Sequence, residues 1–215
     1  MRQRARSAGD KERRAEELLN AAEALAHDLG GVRHVTLAAV TERAGLHRTG
    51  VRRYYAGKEQ LLLELAERGW ARWRDAVEQE VAGRTGLSPA EIAAVVSRTL
   101  TSLPLFCDLL THATLHLEGD ADIESARRYK TAAFAAHDGI AAALVRAGDL
   151  TAEQIGQLLT VAVLLAAGLW QSSHPTPTLA ALYEQVPSWG HVALEFGPRL
   201  DRLLGTFAAG LTTRS

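Results

Sequence analysis

Residues 44–62 read AGLHRTGVRRYYAGKEQLL. Gly45 supplies a tight turn between a helix that ends near Ala44 and a short helix over His47–Tyr55, which is the spacing of a helix-turn-helix. On a helical wheel Val51 and Tyr55 share the inward side of that second helix. Arg53 points away from them, with Thr49, Gly50 and Tyr54 on the same outward arc, and Arg48 and Arg52 flank the buried side. Lys58 then opens another helix.

Working outward, the rest of the chain reads as helices and turns. Upstream, Leu18, Leu19, Ala22, Leu25, Ala26 and Leu29 recur at helical spacing over Asp10–Leu29, and Gly30-Gly31 stops the run. Thr36 is the expected N-cap of a helix carrying Leu37, Val40 and Ala44 inward; Ala39 stands three residues on, so no capping box forms. Downstream, a helix from Gly57-Lys58 to about Val81 bears Leu63, Ala66, Trp70, Trp73 and Val77 on one stripe. Ser88-Pro89-Ala90-Glu91 combines an N-cap, a proline at the first helical position and a box glutamate. A helix after Pro104 carries Phe106, Leu109, Leu110 and Ala113, and Asp122–Arg146 forms another, closed by Gly148. Thr151 to Gln154 is a second capping box and opens an almost wholly apolar helix ending near Trp170. The proline-rich stretch 172–178 reads as loop, followed by a short helix over Leu179–Gln185. After Pro187 comes a last amphipathic helix with Phe196, Leu200, Leu203, Leu204, Phe207 and Leu211. The expected fold is all-α, with a small three-helix unit over residues 1–57 and a larger helical body over residues 58–215.

Composition narrows the classes. With 47% hydrophobic residues in 215, the chain is no disordered polymer and can bury a sizeable core. The N-terminal stretch is charged and shows no apolar signal core, and the apolar run Leu158–Trp170 is too short for a bilayer, so no membrane partner and a cytoplasmic location are expected. Cys107 is the only cysteine, which excludes an intrachain disulfide and a cysteine-based zinc site. The net charge of -1 conceals an asymmetry, since the first sixty residues are rich in cations and the remainder in anions. Such a split is expected where one end meets a polyanion.

The basic stretch can serve that partner. Gly50 leaves room for backbone to approach DNA, and Lys58 adds charge to the free N–H groups of a helix start, a phosphate-binding arrangement. A solvated basic helix with no partner would carry the same charges. The helix-turn-helix spacing favours DNA because it also explains the glycine and the inward residues.

The order of elements and the string A-G-L-x-R-x-G-V-x-R-Y-Y-x-x-K-E-x-L-L resemble the DNA-binding domain of the tetracycline-repressor (TetR) family of transcriptional regulators, over roughly residues 10–65. In that family the string commonly reads A-G-V-S-x-G-T-L-Y-x-H-F-x-S-K-E-x-L. Here His47 stands where the family has its capping serine, Thr49-Gly50 replaces Gly-Thr, Arg52 replaces tyrosine and Tyr54 replaces histidine, so the family's operator sequences do not transfer. The resemblance implies a homodimer on a pseudo-palindromic double-stranded operator, contacted through Thr36, Arg48, Thr49, Gly50, Arg52, Arg53, Tyr54 and Lys58. It further implies a small-molecule effector bound in the C-terminal helices, which shifts the helix after Lys58.

For the effector, Trp70 and Trp73 near the middle of that helix are candidate contacts, with Phe106, His112, His116 and Trp170 as further lining. Both tryptophans read equally as ordinary core. Asp108, His112 and His116 stand four apart on one helix, a face open to three readings: metal binding, polar pocket lining or structure. A metal-dependent enzyme built on His112 and His116 is the rival from another class, but no nucleophile motif or phosphate loop stands out, so a non-enzyme without cofactor or metal is expected. Activation and repression share one reading head, and repression is the expectation. The apolar helix near 151–171 and the last helix near 196–211 are the expected homodimer interface.

Overall fold

The computed structural model describes residues 2–47, 50–192 and 195–212. Its described elements are helical throughout, and the one β-type contact is an isolated parallel bridge between Leu87 and Gly148. The chain is all-α. It divides into two compact units, one built from residues 1–68 and 112–130, the other from residues 69–111 and 131–215.

In the first unit, helix α1 (Arg2–Asp28) begins earlier than its apolar repeat does, with ion pairs such as Arg13–Asp10 and Arg14–Glu17 on its polar side. Charge pairs three and four apart support a helical turn that has no core to bury. Leu18, Leu19, Ala22 and Ala26 are buried, whereas Leu29 lies beyond the helix and is exposed. Gly30, with φ 72°, ends α1, and the Gly31 amide donates to the Ala26 carbonyl five residues back. Helix α2 (Leu37–Arg43) starts at Thr36, whose hydroxyl accepts from the Ala39 amide at 3.2 Å. It ends in the same way as α1: Gly45 has φ 65° and the Leu46 amide donates to the Thr41 carbonyl.

The segment expected as a helix over His47–Tyr55 is, in its described part, a single 3-10 turn over Val51–Arg53. A short stretch holding Gly50 and the β-branched Val51 cannot offset the nucleation cost of a longer α-helix. Helix α3 (Lys58–Val81) follows, and Gln60 turns back to accept the Ala56 amide at 2.9 Å.

The second unit contains α3 from Gly69 onward, helix α4 (Pro89–Thr101), most of helix α5 (Pro104–His112), helix α7 (Ile123–Ala147) from Thr131, helix α8 (Ala152–Ser173), helix α9 (Pro177–Gln185) and helix α10 (Phe196–Thr212). The intervening α6 (Glu118–Asp120) is a single turn in the first unit. Both expected capping boxes form, Ser88 with Glu91 and Thr151 with Gln154. Helix α5 leaves α4 at a bend of 87°. Helix α10 packs on α4 and α8, and it comes so near α4 that a Cβ on Gly197 would sit 3.1 Å from a methyl of Thr101.

Residues 172–178 are not all loop. Helix α8 runs on to Ser173, with the Ser172 and Ser173 hydroxyls donating to carbonyls one turn back, and α9 begins at Pro177 behind the Thr176 cap. Proline is accommodated there because the first helical N–H needs no partner. With 22 residues and a mean hydropathy of 1.5, α8 is longer than its apolar run suggests and long enough to cross a membrane; its Ile155, Leu158, Leu159, Ala162 and Ala166 are buried, and buried core helices meet the same test.

Candidate nucleic-acid interface and effector residues

Val51 and Tyr55 are buried beneath the 3-10 turn, as their inward assignment requires. The Tyr55 amide closes the turn by donating to the Val51 carbonyl at 3.0 Å. Arg52 and Arg53 face solvent, Gly50 and Tyr54 are half-buried, and Lys58 is exposed at the first position of α3. Thr36 is exposed at the α2 cap. Arg48 and Thr49 lie outside the described residues.

The ion pairs of this unit leave a pattern that counts of charge could not show. Arg43 pairs with Asp28 at 2.6 Å, Arg68 with Glu16, and Arg128 with Glu67 at 3.2 Å. Among the described residues no carboxylate partners Arg52, Arg53 or Lys58. Cations that stay exposed and unpaired beside paired neighbours present a local positive field to a polyanion.

Tyr55 is 2% exposed, and among the described residues its hydroxyl has no hydrogen-bond partner within bonding distance. Burial, and after it the nearby Glu64 carboxylate, drives its pKa upward. Burial also raises the pKa of Glu67, against the opposing pull of Arg128. The sequence marked Tyr55 only as an inward packing residue and did not single out Glu67, whose partner Arg128 is distant in the chain.

The aromatic candidates separate into two clusters within the second unit. Trp70, Trp73 and Phe106 lie with ring centroids 5.3–6.0 Å apart and are 7%, 0% and 2% exposed. The indole N–H of Trp73 donates to the Thr99 hydroxyl at 3.0 Å, and that hydroxyl donates in turn to the Val95 carbonyl at 2.8 Å. Phe106 packs closely against α3 at Gly69, where a Cβ would fall 2.3 Å from a ring atom. Trp170 is half-buried, stacks on His174 at 3.8 Å and meets Phe196 edge-on at 5.2 Å.

The histidine face is reshaped. Helix α5 stops at His112 and a π-helical turn occupies Ala113–Leu117, so the regular α spacing does not continue to His116. The two imidazoles lie 6.4 Å apart at 30° to each other, while Asp108 belongs to the second unit. Among the described residues no group of three or more His, Cys, Asp and Glu side chains is placed to hold a metal ion. Cys107 is buried, its thiol pKa pushed up to about 12 by burial and then by Asp108, which makes it a packing residue and no nucleophile.

Comparison with known proteins extends beyond the stretch that the helix-turn-helix string covers. No curated protein sequence matches. Among solved structures, the crystal structure of a TetR transcriptional regulator from Rhodococcus sp. RHA1 is similar, with a TM-score of 0.56 over 95% of this chain and 98% of that one. At 15% identity this is a likeness of fold. The family described as "Tetracyclin repressor-like, C-terminal domain" matches residues 67–215, well over half of the chain. By that match the chain belongs to the tetracycline-repressor family of transcriptional regulators.

Proposed function

We propose that this regulator is a repressor that binds a pseudo-palindromic operator as a homodimer and is released by a small molecule, acting in the cytoplasm without catalysis or cofactor. The observation that carries the reading is the set Arg52, Arg53 and Lys58, exposed and, among the described residues, without carboxylate partners, on or beside the turn that follows the Gly45 stop. In this reading residues 1–57 contact DNA and residues 58–215 serve effector binding and dimerisation. Arg53, with Thr49 and Gly50, meets base edges; Thr36, Arg48, Arg52, Tyr54 and Lys58 meet phosphates.

Self-association through α8 and α10 is supported by the apolar surface those helices leave uncovered, notably Leu164, 68% exposed, and Leu203. For the effector, Trp170 offers a half-open aromatic face, whereas Trp70, Trp73 and Phe106 offer walls whose polar atom is already engaged. His112 and His116 are the polar candidates.

Selection of binding sites from random DNA, followed by band-shift titration, tests the reading. A single palindromic consensus is expected. Arg53→Ala should cost about 1–3 kcal/mol and relax specificity, and Lys58→Ala should weaken all sequences alike and reduce the salt slope by about one. Wild-type binding by both variants would sink the assignment.

A further inference from the structure

Arg128 stands near the start of α7, far in sequence from the helix-turn-helix, yet it belongs to the same compact unit. Its Nε lies 3.2 Å from a Glu67 oxygen and its terminal nitrogen 3.8 Å from a Glu64 oxygen, so one guanidinium spans adjacent turns of α3. The Glu67 side chain is 17% exposed, which removes much of the solvent screening from that contact. On the next turn of α3, Arg68 reaches Glu16 and, at 3.0 Å, the Asn20 side-chain oxygen of α1. Buried Tyr55 closes the Val51–Arg53 turn through its amide, and the next amide, that of Ala56, donates at 2.9 Å to Gln60 on the first turn of α3, so the turn is tied to that helix. Among the described residues the Tyr55 hydroxyl has no hydrogen-bond partner within bonding distance, so packing is what holds the ring in place.

We infer that Arg128 is a positioning residue for DNA reading: by clamping Glu64 and Glu67 it fixes the first turns of α3, and through Gln60 it fixes the turn that presents Arg52 and Arg53. Arg128 touches no DNA in this scheme, which rests on the DNA-binding reading above. The clamp gives a contact on α7 a direct hold on the recognition turn.

Two readouts separate this inference from that reading. Hydrogen exchange of the amides of residues 51–58 in free protein needs no DNA: Arg128→Ala should speed it about tenfold, whereas Lys130→Ala, on the same helix but paired with Glu118 of α6, should leave it unchanged. On the operator selected from random DNA, Arg128→Ala should bind about tenfold more weakly with an unaltered salt slope, because no phosphate contact is lost. Arg128→Lys, which keeps a cation for one of the two carboxylates, should fall between the wild type and Arg128→Ala in both measurements. Unchanged exchange in Arg128→Ala overturns the clamp, whatever DNA does. Faster exchange with wild-type operator affinity overturns its role in DNA reading, and a reduced salt slope would make Arg128 a phosphate contact instead. A wild-type protein that selects no sequence overturns the DNA reading, and the exchange result still decides whether Arg128 holds the turn.

Discussion

In the first unit the ties between helices that can be named are ionic: Arg43 to Asp28, Arg68 to Glu16, Arg128 to Glu64 and Glu67. In the second they are mostly packing contacts and neutral hydrogen bonds: three interlocked aromatic rings, Trp73 to Thr99, Thr111 to the Ala167 carbonyl and Gln154 to the Leu211 carbonyl. Arg98 with Glu80 is an exception, at the surface of the second unit. Exposed ion pairs contribute little stability, and packed rings contribute much. Both units rest on a buried apolar core, but the first adds interhelical ion pairs that salt or a single substitution can reset, where the second adds neutral hydrogen bonds and packed rings.

The largest effect that would test this contrast is Trp73→Ala. It should lower the unfolding free energy by about 3–5 kcal/mol in urea titration, since a fully buried indole is removed and the Thr99 hydroxyl loses its donor. A loss below about 1 kcal/mol would mean that the aromatic cluster is loosely filled, and would favour its use as an effector pocket over its use as core. Next comes Gly69→Ala, expected to cost about 1–3 kcal/mol because the new methyl must displace the Phe106 ring. Unchanged thermal unfolding would show that this ring can yield. The smallest effect belongs to the first unit: Tyr55→Phe removes a buried hydroxyl that has no partner among the described residues, so stability should stay within about 1 kcal/mol of wild type, on the favourable side. A clear loss in chemical denaturation would reveal that the hydroxyl is bonded and would weaken the contrast.

Local chemistry was legible in the sequence wherever the cause lay within a few residues. The Ser88 and Thr151 boxes, the Thr36 cap and the stops at Gly30 and Gly45 are all decided by neighbours in the chain, and each forms as read. Val51 and Tyr55 were legible as inward for the same reason. The extent of α1 was not, because side-chain ion pairs extend a helix without leaving an apolar repeat. Nor was the π-helical turn at Ala113–Leu117, which breaks the spacing that had aligned Asp108 with His116. The close seat of Phe106 on Gly69 and the Arg128 clamp depend on partners dozens of residues away, and no local pattern announces them. The candidate interface was thus readable as a list of cations, but which of them remain unpaired needed the fold.

Gly30 and Gly45 terminate their helices freely, but the demand at Gly148 is different: a Cβ there would fall 2.7 Å from the Leu87 carbonyl oxygen, within the bridge in which Leu87 receives the Asp149 amide and donates to Ala147. The first unit has its own version of such long-distance dependence, since it is assembled from two stretches of sequence interrupted by residues of the second. Residues 1–57 taken alone would leave behind α3, with Glu64, Glu67 and Arg68, as well as Arg128. On the Arg128 inference, residues 1–57 form no transferable cassette: a chimera that grafts them onto a foreign body would need an arginine set against the same two carboxylates of α3 to keep the turn in place.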